Sequence, residues 1–201
     1  MDVYPDETMS HTAETLATLR LDLTRLRPDD AAEMVGVLAD ARLYAFTGGC
    51  PPTRDELRAR YERQSVGRSA DGSEEWHNWI VRLRPEGEAI GFVQATIVDA
   101  GGSADIAWLI GAPWQGRGFA TEAARALMDW LERGGVSVIT AHVHPDHHAS
   151  AAVASRCGLE PTDRMEDGER VWQLAQAAMT RAPEDRSQQA DPTRADDATR
   201  T

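Results

Sequence analysis

Apolar and polar residues change period several times along the chain, and each change marks an element. Over residues 19–25 (Leu19-Arg20-Leu21-Asp22-Leu23-Thr24-Arg25) they alternate, as on a half-buried strand. Pro28-Asp29-Asp30 then opens a helix, because proline suits the first turn and acids suit the positive end of the dipole. Ala31, Met34, Val35 and Leu38 are its predicted buried stripe. Thr53-Arg54-Asp55-Glu56 is a capping box, with Leu57 and Tyr61 following at i, i+4, so a second short helix is expected. Trp79, Val81 and Leu83 alternate on one face of a strand, Pro85-Glu86-Gly87-Glu88 turns the chain, and Ile90, Phe92 and Val98 mark the return. Asp99-Ala100-Gly101-Gly102 turns it again, which makes the middle of the sheet an antiparallel meander.

In the second half, Ile106-Ala107-Trp108-Leu109-Ile110 reads as a buried strand and residues 121–133 as a helix that buries Ala120, Ala123, Leu127 and Leu131 and stops at Gly134-Gly135. A further strand, a helix over about 148–157 and a hairpin turning at Asp167-Gly168 complete an α+β layered fold. Residues 1–18 read as a polar leader, 19–176 as one domain, and 177–201, rich in Asp, Arg, Gln, Thr and Pro, as a disordered tail.

Composition narrows the function classes. The 201 residues suit a single domain, and 41% hydrophobic residues can build a core. No apolar run approaches the roughly 18 residues that span a membrane, and no signal peptide is recognisable, so a cytoplasmic protein is expected. Net charge is −12, which argues against a nucleic-acid partner and favours the approach of cationic amines. There is no lysine, which excludes Schiff-base chemistry from an internal amine. Cys50 and Cys157 have neither metal spacing nor a disulfide framework.

The chemistry concentrates in Gln115-Gly116-Arg117-Gly118-Phe119-Ala120, between the buried strand and the long helix. A glycine-rich turn there presents main-chain N–H groups at the positive end of a helix dipole and binds phosphate without a charged side chain. The NTP-binding loop would need Lys-Ser or Lys-Thr after its last glycine, where Phe119-Ala120 stands. The dinucleotide fingerprint would need a third glycine where Thr121 stands. Gln115, Gly118 and Ala120 instead fit Q/R-x-x-G-x-G/A, which resembles the acetyl-CoA pyrophosphate loop of the GNAT N-acetyltransferase superfamily. Ala104 to Ile110 resembles that family's fourth strand, Val138-Ile139-Thr140-Ala141-His142-Val143 its fifth, and Pro145-Asp146-His147-His148-Ala149-Ser150 its P-D-N-x-x-S helix entry, with His147 in place of Asn. The upstream elements are similar to the branch containing ribosomal-protein-alanine acetyltransferases.

The resemblance implies a mostly antiparallel twisted sheet of about seven strands, splayed between the fourth and fifth, with about four helices. It implies acetyl transfer from acetyl-CoA to a primary amine, of a small molecule or a peptide N-terminus, by direct attack in a ternary complex. No metal is expected, and a homodimer is compatible with it. Residues 115–120 would hold the pyrophosphate, main chain near Trp108, Leu109 and Ile110 the pantetheine arm, and His147 and Ser150 further parts of the cofactor. Asp105, at the start of the fourth strand, is the candidate general base, and Ser150 the candidate for protonating the leaving thiolate. Trp76, Asn78 and Trp79 would wall the acceptor cleft, where aromatic faces hold cationic amines.

Each assignment has a plainer alternative. Asp105 can be a solvated strand-end acid, Ser150 a helix-entry hydrogen bond, the tryptophans core residues, and Cys157 a small core side chain. His142-Val143-His144-Pro145-Asp146-His147-His148 invites a zinc reading, although structural zinc sites draw ligands from two separate segments. A non-catalytic acyl-CoA-binding or sensing domain is the alternative for the whole.

Overall fold

A computed structural model describes residues 15–174; the leader up to residue 14 and the tail from 177 lie outside the described residues. The described chain forms one eight-stranded sheet in the order β1-β2-β3-β4-β5-β6-β8-β7. Its strands are β1 (Leu16–Ala17), β2 (Leu21–Arg25), β3 (Glu75–Leu83), β4 (Ala89–Val98), β5 (Ser103–Ile110), β6 (Val138–Val143), β7 (Leu159–Glu166) and β8 (Glu169–Leu174). The helices are α1 (Ala31–Val37), α2 (Arg54–Gln64), α3 (Phe119–Arg133) and α4 (His148–Arg156). Every neighbouring pair is antiparallel except β5 with β6.

The additional strand relative to the expected seven is β1, a two-residue strand that pairs Leu16 with Leu23. The alternation at the N-terminus is shorter than predicted, because Leu19 turns into solvent between β1 and β2 and is 91% exposed. Two cores lie on opposite faces of the sheet. The larger one packs α3 and Ala154 of α4 against Leu21, Leu23, Trp79, Val81, Val93 and Ile106. The smaller one packs Met34, Leu38, Leu57 and Tyr61 of the α1–α2 side against Ile80 and Ala89. Strand β3 lies between both, so His77, Asn78, Trp79, Ile80 and Val81 are all buried and its simple alternation is lost.

Local signals set the helix ends. The Thr53–Glu56 capping box is formed in both directions, with Thr53 N–H donating to Glu56 at 2.8 Å and Glu56 N–H to Thr53 Oγ1 at 3.3 Å. Helix α1 is tied to the β3–β4 hairpin by Arg82, which bonds Asp30 and Glu33 at 2.8 Å each. Burial works to raise the Glu33 carboxyl, but the Ala89 N–H and the Arg82 guanidinium outweigh it and hold it below its ordinary value. The β7–β8 turn at Asp167-Gly168 has φ of 49° and 83°, as a two-residue hairpin turn requires.

One close approach fixes β4 against β5. A Cβ on Gly91 would stand 2.1 Å from the Leu109 carbonyl oxygen, so only glycine fits there.

Candidate active site

The strand-to-helix loop is built for an anion. Gly116 (φ 74°) and Gly118 (φ 82°) both take left-handed conformations, and Gly118 is the residue that caps α3. The first main-chain bond into the helix runs from Glu122 N–H to Gly118 O at 3.1 Å. Among the described residues, no protein group accepts from the N–H groups of Gly116, Arg117, Gly118, Phe119, Ala120 or Thr121. These donors converge at the positive end of a 15-residue helix, which is the arrangement that binds phosphate.

The loop is held from below. Arg20, after β1, donates to Arg117 O at 3.0 Å and to Glu122 at 2.7 Å, and its guanidinium lies 4.6 Å from the centre of the Phe119 ring. Phe119 is buried in the large core, with the Arg117 guanidinium over the same ring at 4.9 Å. Burial works to raise the Glu122 carboxyl, but bonds from the Thr18 hydroxyl, the Arg20 N–H and the Arg20 guanidinium hold it below its ordinary value. Gln115 turns back instead of facing a ligand: its side-chain amide donates to Ile110 O at 2.8 Å and ties the loop to the end of β5. A groove of about 950 Å³ runs from Gly116–Gly118 along α3 to Arg125, Arg133 and Arg156, opposite Leu16 and Arg20.

The loop lies at the end of a cleft in the sheet. Strands β5 and β6 pair only from Ser103–Val138 to Asp105–Thr140, and β5 runs on to Ile110 with no partner on that side. The Leu109 carbonyl points at β4, because it is the atom that Gly91 approaches. Main-chain groups alternate along a strand, so those of Trp108 and Ile110 point into the cleft. Of the three residues expected to hold the pantetheine arm, Trp108 and Ile110 therefore offer main-chain groups, the Ile110 carbonyl being taken by Gln115, and Leu109 does not. The Leu109 side chain packs on the smaller core.

Asp105 sits where the strands part, on the α2 face of the sheet. Its carboxylate accepts a short hydrogen bond from the Thr140 hydroxyl. His142 Nε2 lies 3.6 Å from Asp105 Oδ1 and 3.8 Å from Glu166 Oε2, so an imidazole sits between two carboxylates at the mouth of the cleft. The sequence marks His142 only as part of β6 and of a histidine-rich run, and nothing in it marks Glu166. The period-two pattern of β6 puts Thr140 and His142 on one face, but the β5–β6 register that brings them to Asp105 has no local signal.

Across the ladder from Asp105 lies Thr96, and across from Thr96 lies Trp76. Thr96 and Trp76, with Asn78 and Gln94 but without Asp105 itself, line a cavity of about 330 Å³ bordered by Arg60, Arg63 and Gln64 of α2. Trp76 and Asn78 thus lie on the same sheet face as Asp105, two strands away. Trp79 does not: its parity puts it on the other face of β3, where it is fully buried edge-on to Trp130, their rings 4.9 Å apart. It is a core residue and does not wall the cleft.

At the entry to α4, His147 replaces the expected Asn and does the work of a cap, its Nδ1 accepting from Ser150 N–H at 3.5 Å. Phe46, from the segment between α1 and α2, stacks on the His147 ring at 4.4 Å and lies 5.4 Å from that of His144. Burial, aided by the charge of His144 and His148 and opposed by Glu169, holds the His147 imidazole below its ordinary value. Ser150 is half-buried in the first turn. Burial pushes the Cys157 thiol up to about 11 against the charge of Arg125, as suits a packed side chain and not a nucleophile. Among the described residues, no three His, Cys, Asp or Glu side chains are placed to hold a metal, and no helix is long and apolar enough to cross a membrane.

A helix-capped phosphate loop beside a parted pair of parallel strands, in an otherwise antiparallel sheet, defines a coenzyme A-dependent transferase. The chain belongs to the acetyltransferase (GNAT) domain family, which matches residues 20–160, and it is an acyl-CoA-dependent N-acetyltransferase. Among similar solved structures, an acetyltransferase from Agrobacterium tumefaciens is 26% identical, with a TM-score of 0.64 over 81% of this chain and 95% of its own. RimL, a ribosomal L7/L12 alpha-N-protein acetyltransferase solved with coenzyme A, is 15% identical, with a TM-score of 0.66 over 80% of this chain and 97% of its own. MccE, a microcin C7 self-immunity acetyltransferase solved with acetyl-CoA and AMP, is 16% identical, with a TM-score of 0.64 over 78% of this chain and 92% of its own. No curated protein sequence matches the chain significantly.

Two outcomes follow from this geometry. Gly118→Trp forces a side chain onto a left-handed residue among the phosphate donors, so calorimetry should find coenzyme A affinity reduced by tenfold or more in a folded protein. Unchanged affinity would move the cofactor elsewhere. For His147, a folded-state value below the unfolded one means that its contribution is present above about pH 6.5 and is lost as pH falls through the folded value. His147→Asn supplies a cap that does not titrate, so its melting temperature should fall less than that of the wild type between pH 7 and pH 5.

Proposed function

We propose that the acceptor amine approaches Asp105 from the α2 side while the acetyl donor occupies the cleft from the α3 side. The separation of β5 from β6 immediately after Asp105 carries this reading, because it opens a passage between the two faces beside a carboxylate. Acetyl-CoA supplies the activated acyl group. The chain's own part is to hold the pyrophosphate on the N–H groups of residues 116–121, to align the pantetheine arm along Trp108 and Ile110, and to take a proton from the amine.

Asp105 is the acceptor of that proton, directly or through His142, which its carboxylate orients. Glu166 lies on the far side of His142, 3.8 Å from its Nε2. Ser150, at the entry to α4, is the hydroxyl assigned to return a proton to the departing sulfur. The acceptor is a primary amine, and residues 19–176 act as the catalytic unit in the cytoplasm. The competing reading is a domain that binds acyl-CoA without turning it over, and the acid–base group at the cleft mouth favours the enzyme.

Thiol release from acetyl-CoA over a panel of amines and peptides tests this, and binding without turnover on any of them would favour the sensor. With an active acceptor, Asp105→Asn should lower turnover by roughly 10²–10⁴-fold at neutral pH while acetyl-CoA affinity holds. The defect should shrink at high pH, where the amine is already neutral. Normal turnover at neutral pH would reduce Asp105 to a strand-end acid.

A further inference from the structure

The cavity beside Asp105 has a polarity that the overall charge of the chain conceals. Its lining includes two guanidinium groups, Arg60 and Arg63, and no Asp or Glu. They are three residues apart on α2 and so share one helix face. Neither forms an ion pair among the described residues: Arg60 acts on Glu56 only through its charge, and Arg63 donates to Ala59 O at 3.1 Å. On the same helix Arg58, which does not line the cavity, is taken up by Asp29 at 2.7 Å and Glu62 at 3.3 Å.

The floor points the same way. Asn78 is 8% exposed, and its side-chain amide has no hydrogen-bond partner among the described residues. Its amide atoms are not sealed from solvent, so they stand open to the cavity and available to a ligand. The Gln94 amide and the Thr96 hydroxyl stand beside it, also unbonded. Trp76 supplies an apolar wall, and its indole N–H is taken by Glu74 at 2.8 Å. The opposite end carries the other sign: Asp105 with Glu166, around His142. Two strand spacings, ~10 Å, separate Trp76 from Asp105 along the ladder.

We infer that the acceptor is a small primary amine that also carries a carboxylate or phosphate, its anionic group held by Arg60 and Arg63 and its amine directed to Asp105. This rests on the acetyl-transfer reading given above. The volume of about 330 Å³ suits a molecule of amino-acid to dipeptide size. The net charge of −12 argues for cationic partners only at long range, and the local guanidinium pair decides what binds.

The test compares acceptors that differ only in charge: amino acids against their amides, an aminoalkyl phosphate against the amino alcohol, and a polyamine. Rates of thiol release should give the anionic member of each pair a kcat/KM advantage of about tenfold or more. The carboxylate and phosphate pairs identify which anion is preferred. In R60Q/R63Q that advantage should disappear through a rise in KM, while acetyl-CoA affinity, measured alongside, confirms a folded protein.

Equal or better use of amides, alcohols or the polyamine by the wild type would overturn the inference and leave acetyl transfer standing, as would a double variant that keeps the preference. Where no acceptor releases thiol, calorimetry of the same pairs on the coenzyme A-loaded protein decides. Binding of the anionic member that is lost in R60Q/R63Q upholds the inference; equal binding, or none, overturns it.

Discussion

Strands β5 and β6 pair for three residues, Ser103–Val138 to Asp105–Thr140, and the separation that follows positions both halves of the site. Main-chain groups of a strand that has lost its neighbour must find other partners or remain in water. Here Gln115 takes the Ile110 carbonyl, and those of Trp108 are left facing the cleft. The same separation leaves Asp105 at the last paired position, with Thr140 and His142 of β6 turned towards it. The open main-chain groups of β5 and the placement of Asp105 are therefore consequences of one break in pairing.

Charge is sorted locally against a strongly negative whole. Arg20, Arg117, Arg125, Arg133 and Arg156 line the groove that leaves the phosphate loop, and Arg60 and Arg63 the cavity beside Asp105. Glu122, a net counter-charge near the loop, is consumed by Thr18 and Arg20, so it braces the loop instead of repelling a phosphate. Arg82 does the same for Asp30 and Glu33 at the base of α1.

Local signals carried the sequence reading where they were sufficient. The capping box at Thr53, the glycines at 116 and 118, the tight turn at Asp167-Gly168 and the α3 stripe of Ala123, Leu127 and Leu131 all stand where their chemistry placed them. The failures have physical causes. Strand β1 is two residues long, too short to show a period. Trp79 shares a residue type with Trp76 but not a face, because period two turns it to the opposite side of β3, where it is buried. Gln115 matched a family position, but its side chain closes a loop. His142, Glu166, Arg60 and Arg63 join the site only through strand register and helix packing, which no stretch of sequence displays.

The central claim is that unpartnered main-chain N–H groups at the start of α3 hold the pyrophosphate. Proton–nitrogen correlation spectra of the labelled protein, recorded with coenzyme A and with pantetheine in turn, test it most directly. Large downfield amide proton shifts are expected at Gly116, Gly118, Phe119, Ala120 and Thr121 with coenzyme A, and little change there with pantetheine, which lacks the phosphates. Saturating coenzyme A with those amides unmoved would contradict it.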